Sequence, residues 1–93
     1  MDTSMQPISV KILGNKRHQR YVIWRAVQAA RMTLEKEFPD LTLDIQKVSS
    51  VEEIQQYTPV FAFPSLVIAG KLICVGRYPT RDEVVEWLKT AIN

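Results

Sequence analysis

The side chains with the clearest chemical potential form a basic cluster over residues 15–20, "NKRHQR", which we call the basic turn. Four of its six residues can be cationic: Lys16, Arg17, His18 and Arg20. The turn opens a predicted helix, and a helix N-terminus already carries roughly +0.5 of a charge on its free N–H groups. Cations are unfavourable there, by roughly 0.3–1 kcal/mol each, unless an anion binds beside them.

An anion site is one interpretation of this pattern. Free N–H groups at a helix start bind anions, and guanidinium groups add paired donors that match phosphate or carboxylate. Arg17 and Arg20 are three residues apart and share a helix face, whereas His18 points elsewhere. We therefore predict that Asn15, Lys16, Arg17, His18 and Arg20 bind an anionic small molecule or an acidic peptide.

Catalysis and metal binding have weaker support. His18 has no Asp or Glu near it in sequence to orient it as a general base, so we predict no catalytic role for it. Cys74, the single cysteine, lies between the apolar residues Ile73 and Val75, which favours core packing. The alternative for Cys74 is a reactive thiol that is glutathionylated or forms an intermolecular disulfide. One Cys and one His cannot supply four zinc ligands, so we expect no metal and no cofactor.

Composition limits the protein class. A chain of 93 residues is enough for one domain, and 46% apolar residues can form a core. A net charge of +2 does not favour a nucleic-acid partner. The sequence contains neither an apolar run long enough to span a bilayer nor a secretory signal, so we predict a cytoplasmic protein without a membrane partner.

Changes in hydrophobic period predict the elements that position the basic turn. Residues 1–7 are predicted to be a flexible N-terminal segment, and residues 8–93 a single domain. The predicted elements are a strand over 8–12, a helix over 17–37, a strand over 41–48, a short helix capped by Ser49 or Ser50, a hairpin over 65–76 about Gly70, and a helix opened by Thr80 with Glu83 as a capping box. This β-α-β-α-β-β-α order predicts an α/β domain with a mixed four-stranded sheet flanked by helices.

Three segments resemble one branch of the thioredoxin-like superfamily, the small archaeal and bacterial redox-active disulfide proteins. The first strand ends in "VKILG", residues 64–71 read P-x-L-V-I-x-G-K, and residues 76–88 read G-R-x-P-[ST]-x-x-E-[VI]-x-x-W-L. The resemblance covers about residues 8 to 90, and it implies a thioredoxin-like fold for the domain.

The basic turn is where the chain departs from that family. Such proteins place Cys-x-x-Cys at the start of the first helix, and residues 17–20 here read Arg-His-Gln-Arg. Thiol–disulfide exchange needs an attacking thiolate, which no arginine can supply. We therefore expect a non-catalytic binding module rather than an ordinary thiol–disulfide oxidoreductase. A second interpretation is that the turn drifted to soluble residues after the cysteines were lost.

The resemblance also concerns Phe63 and Pro64. In thioredoxin-like folds a cis proline in this loop faces the active-site turn, and the residue before it offers its backbone to an extended peptide. This implies that Phe63 and Pro64 contribute to the ligand site. The alternative is that Phe61 and Phe63 pack under the loop.

Two rival functions belong to other classes. The first is a monothiol, glutathione-linked redox enzyme that uses Cys74. The second is a structural subunit of a complex or a homodimer, which an exposed apolar patch of several hundred square ångströms would support.

Overall fold

A computed structural model describes residues 7–56 and 64–92 of the chain. The predicted order of elements is confirmed: β1 (Ile8–Leu13), α1 (Arg17–Glu35), β2 (Leu43–Val48), α2 (Val51–Ile54), β3 (Ser65–Ile68), β4 (Lys71–Val75) and α3 (Arg81–Ile92). Two predictions lie outside the described residues. The predicted flexible segment over 1–7 is described only at residue 7, and Phe61 and Phe63 are not described.

The four strands form one mixed sheet in the order β2-β1-β3-β4. β1 pairs with β2 in parallel, while β3 pairs antiparallel with both β1 and β4. Val10 lies at the centre, opposite Ile45 on one side and Ile68 on the other. The predicted α/β architecture with a mixed four-stranded sheet is therefore confirmed.

The larger core lies between one face of the sheet and helices α1 and α3. The apolar stripe of α1 buries Ile23, Val27, Ala30 and Leu34, and α3 adds Val84, Val85 and Leu88. On the other face, Ile54 of the short helix α2 packs with Leu13, Val48 and Val67 in a second buried cluster. Helices thus flank the sheet on both sides, and α1 is held firmly by its apolar face.

Two boundaries differ from the predicted ones by two residues: α1 ends at Glu35 instead of residue 37, and β2 begins at Leu43 instead of residue 41. The N–H groups of Glu37 and Phe38 both donate to the carbonyl oxygen of Leu34, at 3.0 and 2.7 Å. The helix ends at these two hydrogen bonds, which share one acceptor, because Pro39 prevents it from continuing. Leu41 is buried outside the strand.

The β3–β4 hairpin turns on two residues with positive φ, Ala69 at 52° and Gly70 at 80°. Ile68 pairs with Lys71, so the loop has two residues, and positive φ at both is the type I′ geometry. An alanine in this region costs about 1 kcal/mol. The N–H of Ala69 donates to the carbonyl oxygen of Ser9 at 2.8 Å, which ties the turn to β1.

No helix within residues 7–56 and 64–92 is long and apolar enough to cross a membrane.

Candidate functional site

The basic turn joins the end of β1 to the start of α1 through Gly14. The N–H of Gly14 donates to the carbonyl oxygen of Val48 at 3.0 Å and so extends the β1–β2 ladder by one residue. The carbonyl oxygen of Gly14 accepts a hydrogen bond from Nη1 of Arg20 at 2.8 Å. The partly buried Arg20 side chain therefore links the start of α1 to the residue that precedes the basic turn.

Helix α1 begins without a cap. Its N-cap residue, Lys16, has extended backbone angles (φ −109°, ψ 137°) and makes no capping hydrogen bond through its side chain. A lysine side chain has no acceptor with which to cap an N–H group. The first turn of the helix also contains no acidic residue. The N–H groups at this end and the partial positive charge on them are thus left without a compensating group from the helix itself.

The structure brings most of the predicted anion-binding residues to one exposed surface. Asn15, Lys16, Arg17 and His18 are all exposed. None of these residues takes part in the ion pairs of the described chain, which are Arg77–Glu83, Arg81–Asp82 and Lys89–Glu37. The positive charge of the basic turn therefore has no acidic partner within the part of the chain that the structure describes.

Gln19 is a member of the turn that sequence reasoning passed over. Its Oε1 atom is buried and has no hydrogen-bond partner among the described residues. A buried polar atom without a partner usually costs free energy. A neutral glutamine gives no charge signal in the sequence, and only the packing of the first helical turn onto Gly14 reveals its burial.

A groove continues from the basic turn along the outer flank of α1. We call it the α1 groove: it has a volume of about 460 Å³ and is lined by His18, Tyr21, Val22, Arg25 and Ala26. Val22 and Ala26 supply the apolar side chains of its lining, which we call the floor, and the other three residues supply polar and charged groups. The spacing 18, 22, 25 is that of one helix face, so helical periodicity applied to the polar side of α1 could have found it.

The aromatic residues beside the groove are held by further contacts. The Tyr21 and Trp24 rings stack at 6.2 Å between centroids, and Tyr21 is 51% exposed. Cζ of Arg25 lies 5.9 Å from the Tyr21 ring centroid, and Nζ of Lys47 lies 5.1 Å from the Trp24 centroid. These are cation–π distances, so each ring attracts the cation that lies against it.

Tyr78 joins the basic turn from a distant part of the chain. Its ring meets that of His18 edge to face, with 6.5 Å between centroids. Tyr78 lies in the segment between β4 and α3, so the tertiary fold adds an exposed tyrosine to the surface. No carboxylate contacts His18 within the described residues, and the geometry supplies no acid–base pair.

The second predicted part of the site is only partly described. Pro64 is buried, and its carbonyl oxygen accepts a hydrogen bond from the N–H of Gly76 at 2.8 Å. Phe63 lies outside the described residues. The contribution of Phe63 and Pro64 to the site, including a cis bond between them, stays a prediction.

Cys74 belongs to the larger core. It is 2% exposed, and its Sγ lies 3.4 Å from the carbonyl oxygen of Arg77. Burial raises the pKa of the Cys74 thiol, and the nearby Arg77 charge only partly opposes this. A reactive cysteine needs an accessible thiolate, so this position argues against the monothiol alternative. Among the described residues, no cluster of three or more His, Cys, Asp or Glu side chains could hold a metal ion.

Comparison with known proteins agrees with the architecture. A family model described as a thioredoxin domain matches residues 9–89, which include the whole basic turn and the segment that carries Tyr78. No curated protein matches the chain. The strand order and the span of this match together show that the chain belongs to the thioredoxin domain family.

Proposed function

We propose that this protein is a non-redox thioredoxin-fold binding module that holds an anionic ligand, an acidic peptide or a small anion, at the basic turn. One observation carries the proposal: α1 starts without a cap or an acidic residue, and Lys16, Arg17 and His18 are exposed there without an acidic partner in the described chain. A bound carboxylate or phosphate would supply the missing acceptor for the N–H groups and the missing negative charge.

The distribution of charge along the chain supports the same proposal. Residues 3–34 contain six lysines and arginines and no aspartate or glutamate, whereas all ten acidic residues lie outside this stretch. The small net charge of the whole protein therefore hides a strongly basic segment, which is β1 with α1. Concentrated charge of one sign attracts ligands of the other sign.

The residues at the former active-site position also support a non-redox role. Disulfide exchange requires a thiolate and a resolving thiol, and neither Arg17 nor Arg20 is a thiol. The single thiol of the chain, on Cys74, is buried.

The test is a backbone amide NMR titration with inorganic phosphate and with a short all-glutamate peptide. We expect saturable shifts at residues 15–20 that weaken between low and moderate salt, because the screening length falls from about 30 Å at 0.01 M to about 8 Å at 0.15 M. The double substitution Lys16→Ala with Arg17→Ala should remove the shifts, and Arg81→Ala, an exposed arginine on α3, should not. Flat spectra at millimolar ligand would contradict the proposal and favour a drifted turn.

A second experiment tests the redox side of the proposal. Substituting Arg17→Cys together with Arg20→Cys restores the family's Cys-x-x-Cys spacing at the start of α1. We expect this variant to form an internal disulfide and to reduce an added disulfide in the presence of dithiothreitol, while the unmodified protein does not. Disulfide reduction by the unmodified protein would contradict a non-redox function.

A further inference from the structure

We propose that the α1 groove extends the anion site and docks an acidic peptide that carries an apolar side chain. This inference rests on the proposed function of the basic turn and adds the chemical class of its partner. The apolar side chain lies on Val22 and Ala26, and the flanking carboxylates pair with Arg25 on one side and with the basic turn on the other.

The dimensions of the groove suit a short extended segment. His18 borders both the basic turn and the groove, and Arg25 lies seven residues further along α1, which is about 10 Å at 1.5 Å per residue. An extended peptide advances about 3.3 Å per residue. Because successive side chains of an extended peptide point to opposite faces, acidic residues four positions apart share one face and lie about 13 Å from each other. Their flexible side chains can reach both cationic ends, and the apolar residue midway between them faces the floor.

The Arg25 guanidinium is preorganised to bind a carboxylate. Its guanidinium is held against the Tyr21 ring at 5.9 Å, and it makes no ion pair within the described chain. A guanidinium that stacks on an aromatic ring loses little further freedom when it binds a carboxylate through its N–H groups. The groove thus provides charge complementarity to an acidic partner and an apolar floor in one place.

A peptide fits this surface better than a small molecule or a nucleic acid. The described lining residues all belong to one helix, and such an open surface cannot enclose most of a small ligand. Single-stranded nucleic acids need aromatic faces on which bases can stack. The Tyr21 and Trp24 rings instead stack on each other and lie against Arg25 and Lys47.

The experiment compares three fluorescently labelled probes by anisotropy: a glutamate peptide with one central phenylalanine, an all-glutamate peptide of the same length, and oligothymidine. We expect the phenylalanine peptide to bind about tenfold tighter than the all-glutamate peptide, the equivalent of about 1.4 kcal/mol. Tyr21→Ala should remove most of this difference, whereas Arg25→Ala should weaken both glutamate peptides, because both carry the carboxylates that pair with it. Tyr21→Phe should keep the difference, and so should the matched exposed controls Met32→Ala on α1 and Arg81→Ala on α3.

The outcomes separate this inference from the proposed function. Equal affinity for the two peptides, with shifts still confined to residues 15–20, would overturn the groove proposal alone. If the unmodified protein bound neither the peptides nor phosphate, both proposals would be overturned. Tighter binding of oligothymidine would replace the peptide by a nucleic acid. Concentration-dependent sedimentation of the protein that Arg25→Ala abolishes would replace it by a second copy of the chain.

Discussion

The two long helices of this protein begin in opposite ways. At the start of α3, the N–H of Glu83 donates to Oγ1 of Thr80 at 3.2 Å, and the N–H of Thr80 donates to Oε1 of Glu83 at 3.1 Å. This reciprocal capping box satisfies N–H groups that a helix start otherwise leaves free. At the start of α1, Lys16 offers no side-chain cap.

The two helix starts also differ in charge: acidic residues lie at the start of α3 and basic residues at the start of α1. The first turn of α3 contains Asp82 and Glu83, and Arg77 binds Glu83 through both of its terminal nitrogens, at 2.9 and 2.6 Å. Among the described residues, α3 therefore begins with anions of its own, whereas α1 begins with cations and has no acidic residue in its first turn. This contrast between the two helix starts is what the proposed anionic ligand would remove, because it would supply α1 with the acceptor and the negative charge that α3 has from its own residues.

The most informative way to break this contrast is to give α1 the cap that α3 has. Lys16→Asp should stabilise the fold by about 1 kcal/mol, because an aspartate at the N-cap accepts a backbone N–H and favours the helix dipole. The same change should weaken binding of the all-glutamate peptide about tenfold, since it replaces a cation by an anion, an effect of about 1.4 kcal/mol. Urea unfolding and anisotropy measure the two effects.

Lys16→Ala is the control for this substitution, because it removes the charge without adding a cap. It should weaken binding less than Lys16→Asp, and it should also stabilise the fold less, because it removes an unfavourable charge from the helix start without supplying a cap. A Lys16→Asp protein that is more stable and still binds the peptide as tightly would show that the bare helix start is not the binding site.

Removing the cap of α3 should have the converse outcome. Thr80→Ala should destabilise the protein by about 1 kcal/mol in urea unfolding, because it deletes the side-chain acceptor of the capping box. It should leave anion binding at the basic turn unchanged. Thr80→Ser keeps the hydroxyl and should stay close to the unmodified protein, and an equal loss in both variants would argue that the methyl group, not the cap, matters.

A smaller effect should separate the two arginines of the basic turn. Arg20→Ala should lower the free energy of unfolding by about 0.5–1.5 kcal/mol, because the carbonyl oxygen of Gly14 loses its donor. Arg17→Ala should change stability little but should weaken peptide binding more than Arg20→Ala does. Thermal unfolding and anisotropy of the two single variants test this division, which equal effects on both measurements would refute.

The smallest expected effect is the acid dependence of the α3 start. The hydrogen bond from Arg77, followed by that from the Thr80 N–H, lowers the pKa of Glu83 from 4.5 to about 2. A carboxylate with a depressed pKa in the fold contributes stability above its unfolded pKa and loses it as pH falls through the folded one. The contribution should thus be complete above pH 4.5 and decline toward pH 2, although solvent exposure keeps it modest.

Glu83→Gln is the matched variant for this measurement. Its stability should fall less between pH 4.5 and 2 than that of the unmodified protein, as urea unfolding at a series of pH values would show. Parallel stability curves for the two proteins over this interval would mean that the ion pair contributes nothing to the fold.

Local patterns in the sequence predicted the start of α3 more completely than that of α1. Thr80 and Glu83 stand at the spacing of a capping box, and both hydrogen bonds of the box form. At α2 the pattern left Ser49 and Ser50 as alternatives, and the structure selects Ser50, whose Oγ accepts the N–H of Glu53 at 3.5 Å. Groups within one helical turn meet whatever the rest of the chain does, so such contacts can be predicted from spacing.

The basic turn was found by its charge, but the roles of its residues were not. Arg17 and Arg20 were predicted to act together on an anion. The structure uses one nitrogen of Arg20 to hold Gly14, while Arg17 stays exposed. That difference depends on where the end of β1 lies relative to the first turn of α1, which the spacing of the residues along the helix does not contain.

The sequence by itself determined the order of the elements, the apolar faces of α1 and α3, and the absence of cysteine from the first turn of α1, because period and residue type are local properties. The tertiary structure alone decided that Tyr78 meets His18 and that Lys47 lies against the Trp24 ring. These contacts depend on how the sheet and the two helices pack together, since packing brings together residues that are far apart in the chain.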